Sequence, residues 1–180
     1  DPPWSYNEQV FRGLNNPTGC AEDHYPTMSL SELKRMRVKD IAKKNSLCIM
    51  WTTGPQLHHA IDLIQSENWS FKYITMAFVW DKCKLNPSKY FMSQTEYAIV
   101  GKRGAIPKPR GSYSELQFLS RCRTRHSEKP EEFRCRIDRS FPADSIDKLE
   151  LFSRRAAPGW YVWGNEAPEG LSLPALDIPW

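Results

Sequence analysis

The pattern of apolar and polar residues predicts a strand, a helix and a second strand in the middle of the chain. Ser46 to Thr53 is a short, nearly continuous apolar run, which is typical of a buried parallel strand. Pro55 to Asn68 follows with apolar residues at helical spacing, and proline suits a first helical turn because its missing N–H costs nothing there. Phe71 to Trp80 is aromatic and β-branched, so it predicts the second strand.

The flanking regions add further elements of both kinds. Ser29-x-x-Glu32 matches a capping box, which predicts that a helix begins at Leu30. The remaining predictions are the end of that helix at about Val38, a helix over Pro130–Ser140, and strands over Glu96–Gly101, Asp147–Phe152 and Gly159–Trp163. Strands that alternate with helices predict an α/β fold with a mainly parallel sheet.

Length and composition restrict the class of protein. The chain has 180 residues, 40% of them hydrophobic, which predicts one domain with a sizeable core. No apolar run approaches the ~18 residues of a membrane span, and the first residues show no signal peptide. The five cysteines include no C-x-x-C pair, so neither a disulfide framework nor a metal site is expected. We therefore expect a cytoplasmic-type compartment, and, since no initiator Met is present, further residues upstream.

Positive charge is concentrated in one part of the sequence. Residues 102–139 contain eleven Lys or Arg against five Asp or Glu, although the net charge of the whole chain is only +4. Residues 102–127 show no periodicity, which predicts a long basic loop, and loops of this length in a compact domain are usually functional or disordered. The charge favours an anionic partner such as nucleic acid, and a solvated loop and helix face would explain it equally well.

The first four residues, Asp1-Pro2-Pro3-Trp4, form the sharpest local motif. The Asp1 carboxylate and the Pro2 carbonyl can each accept one hydrogen bond from an exocyclic amine such as adenine N6. The two prolines fix φ near −65° and so preset the direction of the carbonyl. Trp4 offers a face on which an extruded base can stack. A rigid turn is the alternative explanation of the same four residues.

Eight segments in order resemble the MT-A type of adenine-N6 methyltransferases, which includes the catalytic subunit of the messenger-RNA N6-methyladenosine writer and bacterial and phage relatives. The segments are DPPWSY, HYPTMSLSEL, IMWTTGPQLHHAIDLI, ENWSFKYITMAFVWDK, SQTEYAIVGKRG, RHSEKPEEF, KLELFSRR and GWYVWGNE. The resemblance implies a Rossmann-like fold that depends on S-adenosylmethionine, in a permuted order with the catalytic motif first. It also implies one methyltransferase domain over residues 1–166, and the composition of residues 167–180 predicts a Pro-rich tail after it.

The resemblance assigns the catalytic role to Asp1, Pro2, Pro3 and Trp4, and cofactor binding to four later residues. Lys129 would meet the methionine carboxylate of the cofactor, although a surface ion pair would also explain a lysine between glutamates. The residues expected near the ribose hydroxyls are Arg154, Asn165 and Glu166. An amide and a carboxylate suit a diol, because each hydroxyl both donates and accepts. Residues 155–157 (RAA) replace a His-Asn pair of the writer subunit.

Two further groups of residues follow from the resemblance and from the charge pattern. Tyr25, Trp51 and Glu96 align with residues around the target-base pocket, and Trp51 would fit the core equally well. The residues predicted to bind nucleic acid are Lys102, Arg103, Lys108, Arg110, Arg121, Arg123 and Arg125.

The sequence as a whole predicts adenine-N6 methylation of DNA, because the motifs look closest to compact bacterial and phage members. The alternatives are methylation of RNA, a non-catalytic nucleic-acid-binding subunit, and methylation of a small-molecule or protein amine. We expect a homodimer or a partner subunit. The expected location is the cytoplasm of a bacterial or phage-infected cell, or the nucleus of a eukaryote.

Overall fold

The computed structural model of the chain describes residues 1–5, 26–86, 88, 90–106, 109, 115–123, 128–142 and 146–167. Its helices are α1 (Leu30–Arg35), α2 (Val38–Ile41), α3 (Leu57–Gln65) and α4 (Glu131–Ser140). Its strands are β1 (Ser46–Thr52), β2 (Lys72–Asn86), β3 (Ser93–Arg103), β4 (Phe118–Ser120), β5 (Leu149–Leu151) and β6 (Tyr161–Trp163). Within the described ranges, no helix is long and apolar enough to cross a membrane.

Four strands form a mixed sheet in the order β1-β3-β2-β4. The central strand β3 runs antiparallel to both β1 and β2, and β4 runs parallel to β2. The prediction of a mainly parallel sheet is therefore wrong for these strands. β1 and β2 do share one direction, as a strand–helix–strand unit requires, but β3 lies between them. Only residues 87–92 separate β2 from β3, too few for the crossover that a parallel partner needs.

The last two strands form a separate parallel pair. β5 and β6 make a two-stranded sheet in which Leu149 lies opposite Tyr161 and Leu151 opposite Trp163. The predicted direction is correct here.

The helix predicted over residues 30–38 is divided in two. Its capping box is confirmed, because Ser29 N–H donates to Glu32 Oε2 at 2.8 Å and Glu32 N–H donates to Ser29 Oγ at 3.3 Å. α1 ends where Met36 adopts an extended conformation, and α2 begins at Val38. Leu33 and Val38 are both buried, yet in one continuous helix they would point ~140° apart. The break lets both side chains face the core.

The core lies where α3 packs against the first three strands and α1 packs against α3. On α3, the residues Ala60, Leu63 and Ile64 are fully buried, and the Trp69 indole donates to the Leu33 carbonyl at 2.8 Å. Gly101 on β3 faces this helix, and a Cβ there would lie 2.7 Å from Ile64 Cδ1. This close approach seats β3, the strand that carries Glu96, directly against α3.

The predicted basic loop over residues 102–127 contains regular structure. Lys102 and Arg103 are the last two residues of β3, and residues 118–120 form β4. The periodicity of a three-residue strand is too short to detect, and Phe118 remains 54% exposed. Among the described residues the four cysteines are free thiols, at positions 48, 83, 122 and 135.

Candidate active site

Backbone hydrogen bonds hold the Asp1–Trp4 segment against residues 26–28. Met28 N–H donates to the Pro3 carbonyl at 2.8 Å, and Ser5 N–H donates to the Met28 carbonyl at 3.2 Å. Trp4 N–H donates to the Pro2 carbonyl at 2.9 Å. Since a carbonyl oxygen has two lone pairs, this bond leaves the Pro2 oxygen capable of accepting a second one.

Trp4 anchors the motif instead of presenting a stacking surface. Its side chain belongs to the hydrophobic core, with 5% of the residue exposed, and its indole N–H donates to the Trp51 carbonyl at 3.1 Å. The predicted stacking of a base on Trp4 therefore needs correction, because the core covers the ring. The bond to Trp51 instead ties the motif to the end of β1.

A chain of alternating charges runs inward from Asp1. Lys129 Nζ lies 2.6 Å from Asp1 Oδ2 and 3.2 Å from Glu96 Oε2. Glu96 Oε1 in turn lies 3.1 Å from Lys82 Nζ. The side chains of Lys82, Glu96 and Lys129 are at most 16% exposed, so water screens these contacts weakly. Four segments of the sequence, around residues 1, 82, 96 and 129, thus meet at one site.

The two lysines keep Glu96 in its charged form. Burial alone raises the pKa of this carboxyl, but Lys129 and Lys82 outweigh burial and hold the pKa below its usual value of 4.5. Glu96 was predicted to lie at the target-base pocket; in the structure it bridges the two ammonium groups. The charge of Lys129 is thereby compensated from both sides, by Asp1 and by Glu96.

Aromatic side chains form one wall beside Lys129. Its Nζ lies 5.6 Å from the centroid of the Trp51 ring, close enough for a cation–π contact. The Trp51 ring meets Phe133 edge-on, with centroids 4.9 Å apart, and Trp80 at 6.5 Å. Trp51 is half-buried, so it packs against core aromatics and also faces the cleft described next.

A cleft of about 1520 Å³ brings together all four residues predicted to bind the cofactor. Its lining includes Lys129, Arg154, Asn165 and Glu166, together with Asp1. Arg154, Asn165 and Glu166 are exposed, which leaves their polar groups accessible to a ligand. The sequence segments around residues 129, 154 and 165 thus converge on one cavity.

Arg155 occupies the point where the sequence departs from the writer subunit. Its guanidinium lies 3.2 Å from Glu128 Oε1 and 2.5 Å from Glu131 Oε2. These glutamates flank the Lys129–Pro130 pair, so Arg155 joins the segment after β5 to the start of α4. Its side chain is about half exposed, so these ion pairs contribute little to stability.

The residues predicted to bind nucleic acid fall into two groups that lie apart. Arg121 and Arg123 continue the β2–β4 ladder beside Lys82, where Arg123 N–H donates to the Lys82 carbonyl at 3.4 Å. Lys102 and Arg103 are the last two residues of β3, at the end of the strand away from Glu96. They are six and seven residues from Glu96, a distance of ~20 Å along the strand. The other predicted residues, Lys108, Arg110, Arg125 and the pocket residue Tyr25, lie outside the described residues.

Sequence reasoning missed Lys82 and the aromatic residue Phe133. A lysine two positions after the buried Trp80 falls on the same, inward face of a strand, and a buried lysine requires a carboxylate partner. The alternation of inward and outward positions along the strand was therefore the signal that could have identified Lys82 as buried. In the part of the chain that the structure describes, no three His, Cys, Asp or Glu side chains are grouped to hold a metal ion.

Known proteins resemble this chain over nearly its whole length. The MT-A70 family profile matches residues 1–166. The chain is 41% identical to the type II methyltransferase M.MunI of Mycoplasma sp, over 99% of this chain and 78% of that protein. It is 25% identical to the N(6)-adenine-specific methyltransferase METTL4 of Homo sapiens and of Mus musculus, over 92% of this chain and 36% of each relative. The match spans the Asp1–Trp4 motif, the charged chain and the cleft, and the protein belongs to the MT-A70 family of methyltransferases.

Proposed function

We propose that this chain transfers a methyl group from S-adenosylmethionine to the N6 amine of adenine in DNA. The observation that carries the proposal is the position of Asp1 and Lys129, in contact at 2.6 Å, on the wall of a large cleft. The likeness to a type II methyltransferase is the reason for placing DNA ahead of RNA. The name of the more distant relatives is the reason for choosing adenine N6.

The Asp1–Pro2 pair supplies the acceptors that this amine requires. The N6 lone pair is delocalised into the adenine ring, so the nitrogen is a poor nucleophile. A hydrogen bond from each N6–H, one to the Asp1 carboxylate and one to the Pro2 carbonyl, favours a pyramidal nitrogen whose lone pair leaves the ring plane. Trp4 and Met28 hold the motif through their backbone bonds, so these acceptors are positioned before the base arrives.

The cleft residues have the chemistry to hold the cofactor. The Lys129 ammonium can pair with a carboxylate, and Asn165 and Glu166 can bind the two hydroxyls of a ribose. When bound, the cofactor supplies a methyl group on a cationic sulfur that keeps the electron pair of the broken C–S bond. The adenine nitrogen forms the new N–C bond and releases one proton to water, so the chain need not supply a base.

The test is methyl transfer from labelled S-adenosylmethionine to duplex DNA, single-stranded DNA and RNA of matched sequence. Asp1→Asn is compared with Asp62→Asn, which removes an exposed carboxylate on α3. We expect N6-methyladenine in DNA from the unchanged chain and from Asp62→Asn, and none from Asp1→Asn. Label mainly in RNA would overturn the choice of DNA. Cofactor binding without transfer to any substrate would favour the non-catalytic subunit instead.

The position of Arg121 beside the charged chain makes it a candidate phosphate contact. Arg121→Ala is expected to weaken DNA binding about equally for all sequences. It should also reduce by ~1 the steepness with which the logarithm of the binding constant falls with the logarithm of the salt concentration. Lys72→Ala, which removes an exposed charge at the start of β2, is the control. Equal effects of the two substitutions on fluorescence anisotropy would place the contact surface elsewhere.

A further inference from the structure

Lys82 is a buried lysine for which the proposed chemistry has no direct use. Its side chain is 10% exposed, and its Nζ lies 3.1 Å from Glu96 Oε1. Lysine is almost never buried to this degree without a partner, because an ammonium loses several kcal/mol of hydration free energy on burial. A buried ion pair often stabilises a fold no better than two apolar side chains of similar size. Stability is therefore a weak explanation of this contact.

The backbone around Lys82 departs from a regular strand. Asp81 lies opposite Thr95 and Asn86 opposite Ser93, so five steps along β2 match two steps along β3. Cys83, the next residue, has φ of 54°, in the left-handed region that a non-glycine residue seldom adopts. A bulge of this kind redirects a side chain, and such strain persists only where the surroundings impose it.

The side chain of Asp81 holds this bulge in place. Its Oδ1 accepts hydrogen bonds from Cys83 N–H at 2.8 Å and from Gln94 Nε2 at 2.7 Å. Its Oδ2 accepts a hydrogen bond from the Ser120 hydroxyl at 2.8 Å. Three segments, in β2, β3 and β4, thus fix the backbone on either side of Lys82.

We infer that Lys82 is a positioning residue, which holds Glu96 in the orientation that keeps Lys129 beside Asp1. Glu96 divides its two oxygens between the lysines, Oε1 to Lys82 and Oε2 to Lys129. The side chain of Glu96 is only 16% exposed, so water cannot readily replace a lost partner. If Lys82 lost its charge, Glu96 Oε1 would lose its ion pair, and the carboxylate could rotate away from Lys129. This inference rests on the proposed function, because the group finally positioned is Asp1.

The inference also predicts a change in pH dependence. The charged groups that face Glu96 are Lys82 from β2 and Lys129 from the segment before α4, with Asp1 on the other side of Lys129. Removing the charge of Lys82 removes one of the two cations that lower the pKa of Glu96, whereas burial continues to raise it. Glu96 would then take up a proton at a higher pH.

The experiment compares Lys82→Met and Lys82→Arg with Lys84→Met, which removes an exposed lysine two residues further along β2. Methyl transfer to DNA is measured across pH, together with DNA affinity and thermal stability. We expect Lys82→Met to lower kcat by about 10- to 100-fold and to move the acidic limb of the profile to higher pH. Lys82→Arg should recover much of the rate, Lys84→Met should match the unchanged chain, and DNA affinity should remain the same.

A double substitution separates positioning from a structural or phosphate-binding role. In a Glu96→Gln background, Lys82→Met should cost little further activity, since Lys82 acts through Glu96. Additive losses, an unshifted pH profile, or a loss of DNA affinity equal to the loss of rate would each overturn the inference. If Lys82→Met unfolds, Lys82→Gln, which removes the charge but keeps a polar side chain, takes its place in the cycle with Glu96→Gln. A wild-type chain without methyl transfer would instead refute the proposed function.

Discussion

Gly101 offers the most direct test of how the site is supported, because β3 approaches α3 most closely there. A Cβ at this position would lie 2.7 Å from Ile64 Cδ1 and 3.0 Å from Phe71 Cβ, whereas carbon atoms in good contact are ~3.5–4.0 Å apart. Ile64 is fully buried and Phe71 is 4% exposed, so a shift of either side chain disturbs its packing against other core residues.

We expect Gly101→Ala to destabilise the protein by about 1–2 kcal/mol. Overpacking of a core costs about 1–3 kcal/mol, and the better strand propensity of alanine offsets about 0.5–1 kcal/mol of it. Phe71 Cβ is attached to the backbone and cannot rotate away, which places the cost above zero even after Ile64 adjusts. For a chain of this length the midpoint of thermal unfolding should fall by ~2–4 °C for each kcal/mol.

Urea unfolding followed by circular dichroism measures this cost, and a second substitution identifies its source. Ile64→Val removes the Cδ1 methyl group and alone costs about 0.5–1.5 kcal/mol. The double variant should be about 1 kcal/mol more stable than the sum of the two single changes predicts. Gly54→Ala is the control, since its Cβ would meet Tyr97 Cε2 at an ordinary 3.9 Å. Additive costs, or a Gly101→Ala chain as stable as the original, would refute the reasoning.

Three further predictions concern the capping box, the buried carboxylate and the Asp1–Trp4 motif. Ser29→Ala should cost about 0.5–2 kcal/mol in urea unfolding, because α1 loses its side-chain cap, and an unchanged midpoint would contradict this. The pKa of Glu96 is lower in the folded protein than its usual value of 4.5. The charged carboxylate therefore stabilises the fold above pH 4.5, and this stabilisation is lost as the pH falls through the pKa of the folded state. Glu96→Gln should flatten that part of a curve of stability against pH. Trp4→Phe removes the bond to the Trp51 carbonyl and should cost about 1–3 kcal/mol, with a loss of activity that exceeds the loss of folded protein.

Local patterns predicted the elements well where burial alone determines them. The strand predicted over Ser46–Thr53 is observed over Ser46–Thr52, and the capping box of Ser29 begins α1 as expected. The directions of the strands were harder to predict, because an apolar run is the same whether its neighbour is parallel or antiparallel. The predicted strands left residues 81–95 between them, enough for a crossover, whereas the observed strands leave only residues 87–92.

For the site, the sequence motifs identified most of the residues, but they could not show which of those residues touch one another. The motif at Asp1 and the resemblance of the later segments identified Lys129, Glu96 and the cleft residues as candidates. The contact of Lys129 with Asp1 joins residues 128 positions apart, and no local spacing indicates such a pairing. Burial of Trp4 was likewise hidden, because an aromatic ring suits a core and a binding surface equally well.

The central position of β3 has a consequence for how the protein is made. β1 and β2 both pair with β3, but β3 is the last of the three to leave the ribosome; Trp51, for example, pairs with Ala98. Until then the β1–α3–β2 segment has two apolar strands that lack their common neighbour, and unpaired strands of this kind promote aggregation. A nascent chain that stalls before Ser93 would therefore depend on a chaperone, whereas one that reaches Arg103 can complete the three-stranded centre of its sheet.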